Sequence, residues 1–364
     1  MKLLALKEFL RSIDQTIFGC LFILLSAGLF TLYSADNNQL NEFTAQLVNI
    51  LIGFIALIFI SKTPPKIIFF YVPFIYIIGI ILLIYVEFFG YEVNGSQRWL
   101  DIGFMKFQPS EIFKIIVPLV LAWFYQNKER VITIKTHLTA LLFMFIPFYL
   151  IFLQPDLGTA LMLSFSSLAI IFIAGLPRQF ISWGFIITLL SSPFIWKNLE
   201  SYQQNRIINL FDPFQDALGS GYHTIQSLIA LGSGGLIGKG WLNSSQTQLN
   251  FLPEATTDFI FAVYSEEFGF IGVITILTIY VALLLRIIFM VSKMQDTFSR
   301  LASLGLLISL FAGVLVNLGM ISGLLPIVGA PLPFFSYGGT SMVVSLLSIG
   351  IIISLYKHKS LIAN

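Results

Sequence analysis

The chain has 364 residues, 57% of them hydrophobic and 10% charged, with mean hydropathy +0.89. Ordinary soluble domains are about 45–50% apolar and about 25% charged. The composition therefore excludes a soluble globular domain and predicts an all-α, polytopic integral membrane protein, and a net charge of +2 gives no hint of nucleic acid. The single cysteine, Cys20, excludes an internal disulfide and a CxxC metal site and reads as a helix-packing residue. His137, His223 and His358 are too far apart in sequence for a His-rich metal site.

The N-terminal MKLLALKEFLRSID precedes an apolar run, as in a signal peptide. Tyr33 is too bulky for the small-residue cleavage site that Ala35 would need, so the first helix is expected to stay uncleaved. Apolar runs follow at about 15–34, 43–61, 67–89, 112–126, 138–153, 157–175, 179–196, 259–291, 301–325 and 341–356. With about 20 residues needed per crossing, they predict about ten transmembrane helices in a single domain over 1–364. A long extracytoplasmic loop, about 197–257, is expected between helices seven and eight.

Charge sets the orientation. With the N-terminus inside and ten spans, fourteen of the twenty basic residues fall on the inner side, leaving Arg98, Lys106, Lys114, Lys197, Arg206 and Lys239 outside or in the outer membrane half. This is the positive-inside pattern and predicts two cytoplasmic termini. Of the eighteen acids only Glu8, Asp14, Glu129 and Asp296 fall inside. The chemistry is therefore expected on the extracytoplasmic face.

After the third apolar run, VNGSQRWLDIGFMKFQPSEIFK places Pro109 in the first turn of the fourth helix, with Glu111 and Lys114 three residues apart on one face. Ionisable residues there are costly and are either a structural pair or functional. In QPDLGTA, Pro155 stops one helix and Asp156 opens the next, a favourable place for a carboxylate and equally a plain helix cap. The long loop contains GSGGLIGKG, which fails as a phosphate loop: Ser233 stands where the first Gly belongs, and Gly240 follows Lys239 where Ser or Thr is needed. No nucleotide is expected. The glycines instead suit a tight re-entrant turn, with Lys239 meeting an anionic group. FLPEATTDFIFAVYSEE then enters the eighth span. At about 100° per residue, Asp258, Ala262, Ser265 and Gly269 share one face, Glu266 flanks it and Glu267 points away. GLLPIVGAPLPFFSYGGTS, the last outer loop, is irregular backbone expected to line the same wet cavity.

Five motifs in this order, GSQRWL–FQPSE, QPDLGTA, GYHTIQSLIALGSGGLIGKG, FLPEATTDFIFAVYSEE and LPIVGAPLPFFSYGGTS, resemble the SEDS proteins of bacterial cell-wall synthesis over nearly the whole chain. Gly221-Tyr222-His223, the following Ile225-Gln226-Ser227 and the brief N-terminal tail favour the elongation branch over its division relative. One departure is Thr256, where the family often has His. The resemblance implies an inner-membrane peptidoglycan glycosyltransferase that polymerises lipid II, with Asp258 as general base. It also implies a class B penicillin-binding protein transpeptidase and other elongation-complex components as partners. Arg98, Lys114, Arg206 and Lys239 are candidates for the pyrophosphate, and Glu111, Asp156, Gln226, Glu254, Glu266 and Ser336 complete the substrate-binding set. Fourteen acids against six basic residues is an awkward outer balance for an anionic substrate. It suggests paired acids or a transient divalent cation, Mg or Mn, although no metal motif is present. A lipid-precursor flippase and a non-catalytic scaffold are the competing readings.

Overall fold

A computed structural model of the chain describes residues 14–357, except 37–39, 94–95, 102, 104–105, 129–132, 218 and 220. Lys2, Lys7, Glu8, Arg11, Glu129, Arg130, His358 and Lys359, used above for orientation or metal binding, lie outside the described residues. The described chain is a helical bundle: α1 (Gln15–Ala35), α2 (Asn41–Ser61), α3 (Pro65–Phe89), α4 (Pro109–Gln126), α5 (Ile134–Leu153), α6 (Leu157–Ile173), α7 (Arg178–Asn198), α8 (Ser201–Phe211), α9 (Tyr222–Ser233), α10 (Ser245–Gln248), α11 (Ile260–Ser292), α12 (Thr297–Ile321) and α13 (Gly339–Lys357). Between α3 and α4 the loop folds into a small antiparallel sheet, β1 (Tyr91–Val93), β2 (Ser96–Asp101) and β3 (Lys106–Phe107), which the apolar pattern does not announce.

Each apolar run folds as a helix. Seven of them, α1, α2, α3, α5, α11, α12 and α13, are long and apolar enough to cross a membrane. The other three runs fold as α4, with Glu111 and Lys114 in its first turns, as α6, of 17 residues, and as α7. Ten helices thus stand where ten runs are read, seven of them meeting a strict length-and-apolarity measure among the described residues. The starts follow local chemistry. Pro65 and Pro109 sit at the first turns of α3 and α4, where a missing N–H costs nothing. Asp14, Asp156 and Asp296 cap α1, α6 and α12 by accepting from backbone N–H groups.

The bundle is organised around α4, whose Phe113, Val117, Val120, Leu121 and Ala122 are almost fully buried against α3, α6 and α12. The peripheral helices turn large apolar side chains outward, among them Phe59, Phe70, Ile78 and Phe88. Between helices the interior carries small polar groups such as Ser166, Ser167, Ser303 and Asn317. That inversion is expected where lipid is as apolar as any core.

Helix α11 is broken. Gly269 has φ 64° and ψ −166°, a conformation open only to glycine. In an unbroken helix the N–H groups of Phe270 and Ile271 would donate to the carbonyls of Glu266 and Glu267. Here the glycine-rich loop wedges between them. Lys239 and Gly240 donate their N–H to those two carbonyls at 3.0 and 2.9 Å, and Phe270 and Ile271 donate to Gly235 and Leu236 at 2.9 and 3.2 Å. All four orphaned groups are satisfied one for one. The expected re-entrant turn is thus a wedge in a helix ladder, and the face shared by Asp258 and Gly269 does not exist, because α11 starts at Ile260 and turns at Gly269. Residues 270–292 extend roughly 34 Å by themselves, enough for a hydrocarbon layer of about 30 Å. The stub 260–268 is additional to the crossing.

A Cβ at Gly269 would stand 2.3 Å from the Gly238 nitrogen, whereas one at Gly232 would meet nothing within 4 Å. Gly269→Ala is expected to lower the thermal midpoint of the purified protein markedly, by strain of order 1–3 kcal/mol plus the clash. Gly232→Ala, inside α9, should be neutral or slightly stabilising. Equal midpoints for the two variants would remove the wedge from the account of stability.

Candidate active site

Asp258 sits in a turn just before α11. Glu254 starts this turn at φ 54°, and its carbonyl accepts from the N–H groups of Thr257 and Phe259, both at 3.2 Å. Three further contacts fix the segment. Tyr337 donates its N–H to the Thr256 carbonyl at 3.0 Å. The buried Asn317 on α12 donates Nδ2 to the Asp258 carbonyl at 2.9 Å and to the Ala330 carbonyl at 2.7 Å. Phe259 stacks on His223 of α9, rings 6.0 Å apart and 11° from parallel. A strained turn is thereby tied to the loop between α12 and α13, to α12 and to α9.

The carboxyl group is held differently from its backbone. No described residue donates a hydrogen bond to it, and the N-cap of α11 is Phe259, without a side-chain cap bond. Asp258 is thus not the helix cap that its position in sequence also allows. Its side chain keeps partial access to solvent, and Oδ2 faces Gly329, where an added Cβ would stand 3.4 Å away. Desolvation, followed by the negative charges of Glu254, Asp156 and Glu111, pushes its pKa up to about 7 against the pull of Arg206. A carboxyl group poised there can both take and return a proton at neutral pH.

Beside this turn lies a cavity of about 290 Å³, lined by Asn205, Arg206 and Asn209 of α8, His223 and Thr224 of α9, and Leu325–Ile327. Burial holds His223 below the usual histidine pKa, and its Nδ1 is buried with no hydrogen-bond partner among the described residues. Amide, imidazole, hydroxyl and guanidinium groups along apolar walls suit a sugar-like ligand carrying an anionic group.

The remaining sequence candidates divide into separate clusters. Arg98 donates Nε to the Gln154 carbonyl at 2.7 Å and Nη2 to the Pro155 carbonyl at 2.5 Å, so it splints the turn ahead of α6. Asp156 accepts from Thr159 N at 3.1 Å and from Gln108 Nε2 at 3.0 Å, which is the capping role. Glu111 and Lys114 form a nearly buried ion pair at 2.6 Å beside a small void of about 30 Å³, also lined by Ser309, Ser336, Ser341 and Ser345. Ser336 Oγ accepts from Leu332 N at 2.8 Å within the loop between α12 and α13. Lys239 pairs with the fully buried Glu266 at 2.5 Å, so the anionic group expected for it is the chain's own. Gln226 lies half-buried on α9, with no hydrogen bond to another described residue. Of the candidates, Glu254, Arg206, Asp156 and Glu111 act electrostatically on Asp258, whereas Arg98, Lys239 and Glu266 make hydrogen bonds or an ion pair within the protein.

Sequence reasoning did not single out Asn317 or His223 as site residues. Asn317 carried a usable signal, an amide in the middle of an apolar helix, where polar groups are costly. The stacking of His223 on Phe259 joins distant segments and has no local signature.

A helical membrane protein with a desolvated carboxyl group in a strained turn beside a polar cavity defines the class, a multi-pass membrane protein with a candidate reaction centre. The family model described as "Cell cycle protein", spanning FtsW, RodA and SpoVE, matches residues 9–361. The chain belongs to this family, the SEDS proteins, as its motifs indicated. It is 41% identical over 353 residues to the peptidoglycan glycosyltransferase MrdB of Escherichia coli K12, covering 97% of this chain and 95% of that protein. Among solved structures it matches a chain from a work titled "Structural coordination of polymerization and crosslinking by a peptidoglycan synthase complex", with TM-score 0.84, 28% identity and coverage of 95% and 98%. It also matches the rod shape determining protein RodA of Thermus thermophilus, with TM-score 0.72, 26% identity and coverage of 95% and 97%.

Glu111→Gln and Lys114→Met each leave one buried polar group without its partner. Breaking a buried pair costs about 3–5 kcal/mol, so each single variant is expected to lose stability in thermal unfolding, and the double variant to recover most of it. Single variants with wild-type midpoints would show that the pair is solvated and peripheral.

Proposed function

We propose that this chain is a peptidoglycan glycosyltransferase that polymerises lipid II on the outer face of the bacterial inner membrane, with Asp258 as the general base. The observation that carries the reading is the Asp258 carboxyl group, free of hydrogen bonds from described residues and raised to about 7. Family membership and 41% identity to a peptidoglycan glycosyltransferase support the reaction class.

In this mechanism an acceptor sugar hydroxyl attacks the anomeric carbon of a second, donor lipid II. Asp258 takes the hydroxyl proton, the new glycosidic bond forms, and the bond to the undecaprenyl pyrophosphate breaks with its electron pair. The raised proton affinity makes the carboxylate a stronger base while leaving about half of it ionised near pH 7. Arg206 lines the polar cavity and acts electrostatically on Asp258, so it is the proposed contact for the pyrophosphate. Asn205, Asn209, His223 and Thr224 offer hydrogen bonds to sugar or amide groups.

No group of three or more His, Cys, Asp or Glu side chains among the described residues could hold a metal ion. No step is routed through a cation; a divalent ion, Mg or Mn, is proposed only as a companion of the substrate's pyrophosphate. Both termini are proposed to be cytoplasmic, on the fourteen-to-six division of basic residues. A class B penicillin-binding protein transpeptidase is the proposed partner, supported by the likeness to a chain of a peptidoglycan synthase complex; other elongation-complex proteins are proposed on family grounds alone.

The test is polymerisation of supplied lipid II by purified protein. Asp258→Asn keeps the side-chain size but accepts no proton, and is expected to lose a factor of about 100 to 10,000 in rate. Since the active form is deprotonated, the wild-type rate should rise with pH through about 7 and level off above it. Glu254→Gln removes a neighbouring negative charge and should shift that midpoint downward. Asp258→Asn within about threefold of wild type would overturn the base assignment. Translocation without polymer in sealed vesicles would instead support the flippase.

A further inference from the structure

Glu266 is fully buried, and its carboxylate is enclosed by donors. Oε1 accepts from Lys239 Nζ at 2.5 Å, Ser245 Oγ at 2.7 Å, Ser245 N at 3.1 Å and Ser233 Oγ at 3.3 Å. Oε2 accepts from Ser244 Oγ at 2.6 Å and Gln246 N at 3.4 Å. Lys239 Nζ also reaches Ser245 Oγ at 2.8 Å. Such a set neutralises the buried charge and fills its acceptor positions, which is the condition for a buried ion pair to hold its geometry. The donors come from the end of α9, the wedge loop and α10, while the acceptor is on the stub of α11.

The stub's placement cannot come from the membrane crossing, because Gly269 breaks the helix between them. Two anchors hold it instead. At one end Asn317 grips the Asp258 carbonyl; at the other the Glu266 cluster and the four wedge hydrogen bonds hold residues 266 and 267. From Ile260 to Glu266 the stub rises roughly 9 Å, and Asp258 precedes its first residue, so the Lys239–Glu266 pair sits at the opposite end of the stub from the Asp258 turn.

We propose that Lys239 and Glu266 are positioning residues for glycosyl transfer, clamping the α11 stub so that Asp258 meets the acceptor hydroxyl. The inference rests on the reading of Asp258 as the base. Displacing a reacting group by about 1 Å can cost about 100-fold in rate, so a remote clamp can govern turnover while leaving substrate affinity alone.

The experiment measures kcat and KM for lipid II polymerisation with full-length protein in bilayers, normalised to folded protein by size exclusion. Wild type and Asp258→Asn are run alongside. Lys239→Met is expected to lower kcat by about 10- to 100-fold with KM within about twofold, and Lys239→Arg, which keeps the charge, to recover most of the loss. A raised KM with unchanged kcat would overturn the proposal and return Lys239 to the substrate. Unchanged kcat and KM would overturn it in favour of a merely structural pair. Should Lys239→Met fail to fold, Ser244→Ala/Ser245→Ala keeps the ion pair and loosens its frame; a severalfold loss of kcat supports the clamp, and an unchanged kcat overturns it. Wild-type protein without polymer, or an active Asp258→Asn, would strike the base reading itself and so is distinguishable from failure of the clamp.

Discussion

The constraint on which the half of the molecule around Asp258 depends is the pairing of backbone groups at a broken membrane helix. A carbonyl or N–H left without a partner in a low-dielectric setting costs several kcal/mol. Gly269 interrupts α11 and orphans the carbonyls of Glu266 and Glu267 and the N–H groups of Phe270 and Ile271. The loop through Gly235, Leu236, Lys239 and Gly240 repairs all four. That repair fixes the loop against the helix, brings Lys239 and the Ser244–Ser245 segment onto Glu266, and leaves the stub projecting towards the turn that carries Asp258.

The same region shows how several buried acids are handled. Glu266 has Lys239 and three serines, Glu111 has Lys114, Asp156 has Gln108 and the start of α6, and Glu267 has Ser34 and the Leu242 N–H. Each is neutralised or hydrogen-bonded inside the protein. Asp258 differs: its backbone is held by Asn317 while its carboxyl group is left without a donor among the described residues and raised to about 7. Unpartnered acceptors are not confined to it, since Glu267 Oε2, Glu42 Oε2 and Asp36 Oδ2 are buried without a partner among the described residues. What sets Asp258 apart is that neither carboxyl oxygen has a donor among those residues while it sits beside the polar cavity.

Much of this was legible in the sequence. Apolar runs gave the helices, because membrane crossing demands length and apolarity together. The spacing of Glu111 and Lys114 gave their pairing, since residues three apart share a helix face. Other features were not legible. GSGGLIGKG announces glycine conformations but not what they dock against, which lies some thirty residues downstream in α11. The basic residues Arg98 and Lys239 advertise anion binding from sequence, yet in three dimensions carbonyls and a carboxylate of the chain itself already take them. Counting charges by side of the membrane cannot separate a ligand from an internal counterion. The helical face calculated through Asp258 failed for a local reason: the helix starts after it and breaks at Gly269.

The central claim is that Asp258 presents a carboxyl group poised near neutrality. Infrared difference spectroscopy measures this without any assay of turnover: the carbonyl stretch of the protonated acid that is present in wild type and missing in Asp258→Asn is followed across pH in lipid bilayers. The account predicts loss of that band with a midpoint near 7. A midpoint near the ordinary aspartate value of about 3.9 would contradict it.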